Sequence, residues 1–343
     1  MIVLDRISLD IVTIASRLAG HDVAAAVPLG RGGNSRVYRI ESDKRHYVLK
    51  AYPAADGRER LRRECAALEF LNAHGLEVSV PRPVAADEAG CFGLYSWLDG
   101  TPIGPHTSAD IDQMIAFAAA LHRLSGLAAA QSLGEARESC LSAAELLHQI
   151  DARLERLDIA RAASPDLADF LGDRFMPALA AARIRLKSLY GAAGVPIERM
   201  LEPRHRILSP SDFGFHNCLR QSDGRLVFLD FEYFGWDDPI RLVLDFLCHP
   251  AMALEEADRR HFLAGTSSFL DEDPSYARRV AAAAPLVALR WCLILLNEFL
   301  PGHWNRRSRA SGGSDWSAAK TRQLAKAVTM LEHHETLLGW GSA

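Results

Sequence analysis

The order of hydrophobic and polar positions divides the chain in two. Up to about Ala26 the pattern suits a short helical lead-in, which Pro28 and a glycine cluster bring to an end. From there to about Trp97, short β-prone runs dominate. Val37-Tyr38-Arg39-Ile40 and Tyr47-Val48-Leu49-Lys50 flank the polar turn Ser42-Asp43-Lys44 and predict a hairpin. A helix from about Gly57 to Ala73 follows, then a second strand pair between Pro83 and Leu98. Past Asp99-Gly100 come long Ala/Leu-rich segments with helical periodicity, at 108–124, 143–157, 165–189, 277–299 and 317–338. Thr107 or Ser108 suits the N-cap of the first, and Pro285 is placed to kink or split the fourth. One strand-rich island, between Ile207 and Phe231, interrupts this helical half.

This pattern predicts an α+β architecture: a small antiparallel-sheet lobe over residues 1–98 and a larger, mainly helical lobe over 99–343. A chain of 343 residues with 49% hydrophobic content exceeds what one core usually holds, which agrees with two lobes. No internal repeat is present, and Ser308 to Ser314 reads as a flexible loop. The net charge of -4 and a pI near 6.4 give no overall field that would hold a nucleic-acid backbone or an anionic membrane. The six scattered cysteines include no CxxC pair, so neither a zinc site nor a disulfide framework is expected and a reducing cytoplasm fits. The apolar stretch Leu286 to Leu296 is short and interrupted by Arg290, so no membrane span is expected.

Chemistry concentrates in the island. Asp223-Gly224 is a favoured two-residue hairpin turn, flanked by Cys218 to Arg220 and by the apolar run Leu226 to Leu229. A turn centred there sets Ser222 opposite Arg225 and Asn217 opposite Asp230, with Cβ atoms about 5 Å apart. An amide oxygen and a carboxylate at the open end of one hairpin are hard ligands suited to magnesium. Asp212 lies five residues before Asn217, on the loop entering the same hairpin. Taken singly these are turn residues and a strand end; the spacing makes them a set. On the predicted helix 57–73, Leu61, Cys65, Leu68 and Leu71 form one apolar stripe, and Glu64 falls inside it. A buried carboxylate needs a cation, and Lys50 is the natural partner.

Asp212, Asn217 and Asp230-Phe231-Glu232 resemble the protein-kinase catalytic loop and metal-binding motif. Asp-Phe-Glu, together with Tyr233-Phe234-Gly235-Trp236-Asp237-Asp238-Pro239 and Asp245, resembles the aminoglycoside phosphotransferase and choline kinase family, with a two-lobed protein-kinase-like fold. The resemblance runs in order from Leu29 to Pro250. It implies ATP and magnesium as cofactors, with Asp212 taking the acceptor proton and Asn217 and Asp230 holding the metal. It further implies that Gly30, Gly32 and Gly33, with Ser35 replacing a third glycine, cover the phosphates. Lys50 reaches them, anchored by Glu64, and the backbone of Ser96, Trp97 and Leu98 binds adenine. The family usually has His two residues before the catalytic Asp; this chain has Pro210, which puts the loop's geometry in question.

The expected reaction is transfer of the γ-phosphoryl group to a hydroxyl of a small molecule, a sugar or an amino alcohol. The alternative is a catalytically inactive, kinase-like nucleotide-binding or regulatory protein. A protein kinase fits less well, because no Ala-Pro-Glu segment follows Asp230. The basic run Arg306, Arg307 and Arg309 argues against a polycationic acceptor, whereas Trp291, Trp304 and Trp316 offer the alternative of a cage for a quaternary amine.

Overall fold

The computed structural model describes residues 2–29, 35–43, 45–304 and 315–333, apart from the side chains of residues 2–9. Five antiparallel strands, β1 (Ala25–Leu29), β2 (Arg36–Glu41), β3 (Tyr47–Ala51), β4 (Pro83–Asp87) and β5 (Phe92–Ser96), form a sheet ordered β1-β2-β3-β5-β4. The expected hairpin is β2/β3, with Tyr38 opposite Leu49 and Ile40 opposite Tyr47. Period-two alternation sends Tyr38, Ile40, Tyr47 and Leu49 to one face, where they pack on Ile11 and Ala15 of helix α1 (Ile2–Ala19). The lead-in is therefore a helix that stops at Ala19, and the segment around Pro28 is a strand. Pro28 is tolerated because β1 is an edge strand.

Helix α2 (Gly57–Leu71) buries Leu61, Leu68 and Leu71. Its Ala67, Leu68 and Leu71 join Val80 and Tyr95 in a core continuous with that of the helical half.

The helical half contains α3 (Ser108–Ser125), α4 (Ala143–Arg161), α5 (Pro165–Asp169), α6 (Met176–Ala192), α7 (Pro239–Cys248), α8 (Glu256–Leu270), α9 (Tyr276–Leu295) and α10 (Trp316–His333). Thr107 caps α3 through a capping box with Asp110, as its position suggested. The helix expected over 165–189 is broken by a wider π-type turn at Phe170–Phe175. Helices α7 and α8 were not expected. All ten residues of α7 are buried, including the Arg241–Asp245 pair on one side, and ten residues are a short span for a periodic signal. Helix α9 runs through Pro285 without splitting. The stretch Tyr276–Phe299 is apolar and long enough to cross a membrane, but it is mostly buried inside the lobe, where it packs against α4, α6, α7 and α10.

Two small ladders carry the island. Strand β7 (Ile207–Ser209) pairs with β10 (Gly235–Asp237), and β8 (Cys218–Arg220) pairs with β9 (Leu226–Phe228) and with β6 (Thr101–Pro102), just past the inter-lobe segment. The expected hairpin register is corrected by one residue. The Gln221 amide donates to the Arg225 carbonyl at 2.8 Å and the Gly224 amide to the Gln221 carbonyl at 3.0 Å. The loop therefore has three residues, Ser222 to Gly224, with Gly224 at φ +85°. Asn217 consequently faces Leu229, whose amide donates to its carbonyl at 2.8 Å, and does not face Asp230. Asp230 lies one step beyond the ladder at φ +65°, and this left-handed turn re-aims its side chain.

Candidate active site

Lys50 is the hub. Its ammonium, on buried β3, lies 2.8 Å from Glu64 Oε2, 2.5 Å from Asp230 Oδ1 and 3.0 Å from Glu232 Oε2. Glu64 does face inward from α2. Its Oε2 also accepts from the Tyr52 hydroxyl at 2.5 Å, and its Oε1 accepts from the Phe231 amide at 3.1 Å. Helix α2 is thereby tied to the Asp-Phe-Glu segment of the other lobe. Glu232 is buried and accepts from Arg60 Nη1 at 2.7 Å and from the Ser35 hydroxyl at 3.0 Å.

Counting charges identifies the free ligand in this cluster. Lys50 balances Glu64 and Arg60 balances Glu232, so one negative charge is left over. That charge falls on Asp230, the most exposed of the three carboxylates at 38%, with Glu64 at 5% and Glu232 at 2%. The surplus hard oxygens fit a magnesium ion. Burial raises the Asp230 carboxyl above its ordinary range, with Glu232 and Glu64 adding to the rise and Lys50 opposing it. Burial alone would lower the Lys50 ammonium, but Asp230, Glu64 and Glu232 outweigh it and hold the ammonium well above its ordinary value.

The second group sits on the loop between β7 and β8. The Asn217 side-chain amide donates to the Asp212 carbonyl at 2.9 Å, which leaves its own oxygen free to accept or to serve a cation. Among the described residues no side-chain hydrogen bond links Asn217 to Asp230; the two share the open end of the hairpin, one residue out of register. Pro210 stands where a supporting histidine was expected, and other groups brace the loop. The Ser209 hydroxyl accepts from the Ser211 amide at 3.1 Å, and Ser211 itself is held at φ +65°.

His216, which the sequence reading left without a role, bonds Asp212 Oδ1 through Nε2 at 2.9 Å. Burial would raise the Asp212 carboxyl, but His216, His249 and Asn217 hold it below the ordinary range, so it stays ionised and able to accept. The His216 ring stacks on His249 at 4.0 Å and 8°, and His249 meets Trp291 edge-on at 4.4 Å. Asp212, His216 and His249 lie close enough together to suggest a metal site. However, His249 Nδ1 accepts the Ala251 amide at 3.1 Å, which places the ring proton on Nε2 and makes that nitrogen a donor. This cluster is therefore a hydrogen-bonding wall beside Asp212.

Other expectations fare differently. Gly30, Gly32, Gly33 and the basic run 306–309 lie outside the described residues, as does the loop 308–314. The Ser35 hydroxyl is committed to Glu232. The Ser96 amide donates to the Arg82 carbonyl and its hydroxyl accepts the Arg82 amide, both at 2.9 Å, so these two groups are already committed within the sheet lobe. The three tryptophans do not form one cage. Trp304 stacks on Trp316, which also donates its indole N–H to the Glu298 carbonyl at 2.7 Å and meets Lys320 at 4.7 Å, while Trp291 packs on His249. Glu232 and Arg60 were also missed. Asp230 sits in a left-handed turn, so no strand alternation in the sequence announces that Glu232 meets Lys50 and Arg60.

A sheet lobe with a lysine–glutamate pair, set over a loop bearing Asp212 and Asn217, defines a kinase-like phosphotransferase. The chain belongs to the phosphotransferase enzyme family, whose model matches residues 25–279. No curated protein matches the sequence. Among solved structures, a spectinomycin phosphotransferase in complex with ADP and spectinomycin is similar with a TM-score of 0.60 and 12% identity, covering 94% of this chain and 98% of that one. The choline kinase LicA from Streptococcus pneumoniae gives 0.57 and 17%, covering 96% and 99%. A macrolide 2'-phosphotransferase from Brachybacterium faecium gives 0.53 and 19%, covering 93% and 97%. At these identities the likeness is one of fold.

Proposed function

We propose that this chain moves the γ-phosphoryl group of ATP to a hydroxyl of a small neutral molecule, most simply a sugar. The observation that carries the reading is the Lys50–Asp230 contact, which sets the phosphate-binding lysine of one lobe against the metal-binding acid of the other. Lys50, kept charged by its three carboxylates, holds the nucleotide phosphates. Asn217 and Asp230 would hold magnesium, which supplies charge neutralisation at the phosphoryl group. Asp212 Oδ1 is occupied by His216, so its second oxygen orients the acceptor hydroxyl and takes its proton.

The acceptor class rests on the wall beside Asp212. His216, His249 and Trp291 offer flat rings and a donor, which suit a ring hydroxyl compound. Asp245, the acid bonded to Trp291 of this wall at 2.9 Å, is also bonded to Arg241 at 2.7 Å and to Arg290 at 3.4 Å, leaving it poorly placed to receive an ammonium group. The six cysteines are free thiols, which supports a cytoplasmic setting.

A coupled ATP-consumption assay over sugars, amino alcohols and aminoglycosides tests the reading. Turnover is expected with a neutral polyol and should fall by roughly a hundred-fold or more in Asp212→Ala. Nucleotide binding without turnover on any acceptor would instead favour a kinase-shaped binding protein.

A further inference from the structure

One cavity lies away from the catalytic loop. It has a volume of about 260 Å3, and no residue of 209–217 or 230–232 lines it. It opens between the start of α4, the end of α6 and the first turns of α7 and α9. Asp237 pairs with Ile207, at the end of β7 remote from Asp212, so the cavity sits behind the β7/β10 ladder.

Its wall carries five arginines, Arg199, Arg204, Arg241, Arg278 and Arg279, against three acids, Glu202, Asp238 and Asp273. Arg279 is spent on Asp238 and Asp273, and Arg199 and Arg204 share Glu202. Two guanidinium groups keep unused donors. Arg241, 2% exposed, gives Nη2 to Asp245, yet its Nε and Nη1 have no hydrogen-bond partner among the described residues. Arg278 has a buried Nε in the same condition. Asp245, Asp237 and Glu138 stabilise the charge on Arg241, but none of them lines the cavity. Buried donors left unbonded are costly, and guanidinium groups pair best with oxyanions.

We propose that this cavity is a second ligand site, taking a compact metabolite through a phosphate or carboxylate group held by Arg278 at its wall, with the charge of Arg241 buried behind that wall. The volume admits an oxyanion with a short carbon frame. Such a ligand would join α4, α7 and α9, and Asp238, the N-cap of α7, lines the same cavity. This site is independent of the phosphoryl-transfer reading and stands if that reading fails.

Calorimetric titration of the full chain with inorganic phosphate, and separately with malonate, tests it at constant ionic strength. A saturating non-hydrolysable ATP analogue keeps the anions out of the cleft between the lobes. Saturable binding of either anion is expected, weakened roughly tenfold or more in Arg278→Gln, the scale of one charge-assisted hydrogen bond. Arg278 is only partly buried, so this variant should fold, and unchanged circular dichroism checks that it does. Preference for phosphate points to a phosphorylated ligand and preference for malonate to a carboxylate. Absence of millimolar binding by both anions, or equal affinity in Arg278→Gln, overturns the site.

Discussion

Lys50 Nζ and Asp230 Oδ1 lie 2.5 Å apart, although 180 residues separate them in the chain and they belong to different lobes. Lys50 also bonds Glu64, so its removal leaves Glu64 and Asp230 without their cation, while Glu232 keeps Arg60. Lys50→Met should therefore lose nucleotide affinity and also stability, by about 3 kcal/mol, with the half-exposed Asp230 contributing least. Denaturant titration of the single variant and of Lys50→Met with Glu64→Gln measures this. The double variant should recover part of the loss, and no recovery would show that the Lys50–Glu64 pair is not coupled.

Asp212→Ala should reduce kcat by roughly a hundred- to ten-thousand-fold while leaving nucleotide affinity near its original value. His216→Ala removes one hydrogen bond to that carboxylate and should cost about tenfold in kcat, with KM for ATP unchanged. If His216→Ala raised KM for ATP instead, its placement on the acceptor side would be wrong.

His249 should make the fold sensitive to acid. Burial, with His216 adding to it, lowers its folded value to about 4 from an ordinary 6.5. The unfolded chain then binds more protons than the folded one between those values, so stability falls as pH drops from about 6.5 towards 4. Denaturant midpoints measured through this window should decline in the parent and decline less in His249→Phe. Parallel curves for the two proteins would remove His249 from the explanation.

Two glycines should respond differently to alanine. A Cβ at Gly224 meets nothing, but its φ of +85° makes Gly224→Ala strained by about 1 kcal/mol. At Gly235 a Cβ would meet the backbone of Gly134, Glu135 and Ala136, where nothing can yield without moving the chain. Gly235→Ala should cost about 2–3 kcal/mol. Thermal unfolding ranks the two, and the reverse order would contradict the packing of β10 against that segment.

Local pattern was enough to place β2, β3, α2, α3 and the Asp212-to-Asp230 string in order. It was also enough to turn Glu64 inward, because a helix's own period states which side chains share its buried stripe. Lys50 could be named as its partner since two elements 14 residues apart have few ways to meet. Tertiary structure decided the rest. A single left-handed residue, Gly224, moved the hairpin register and took Asp230 out of line with Asn217. Packing between the lobes brought Glu232 to Ser35 and Arg60, and packing of α7 brought His249 against His216. Periodicity reports burial relative to an element's own axis; it does not report which distant residue waits on the other side.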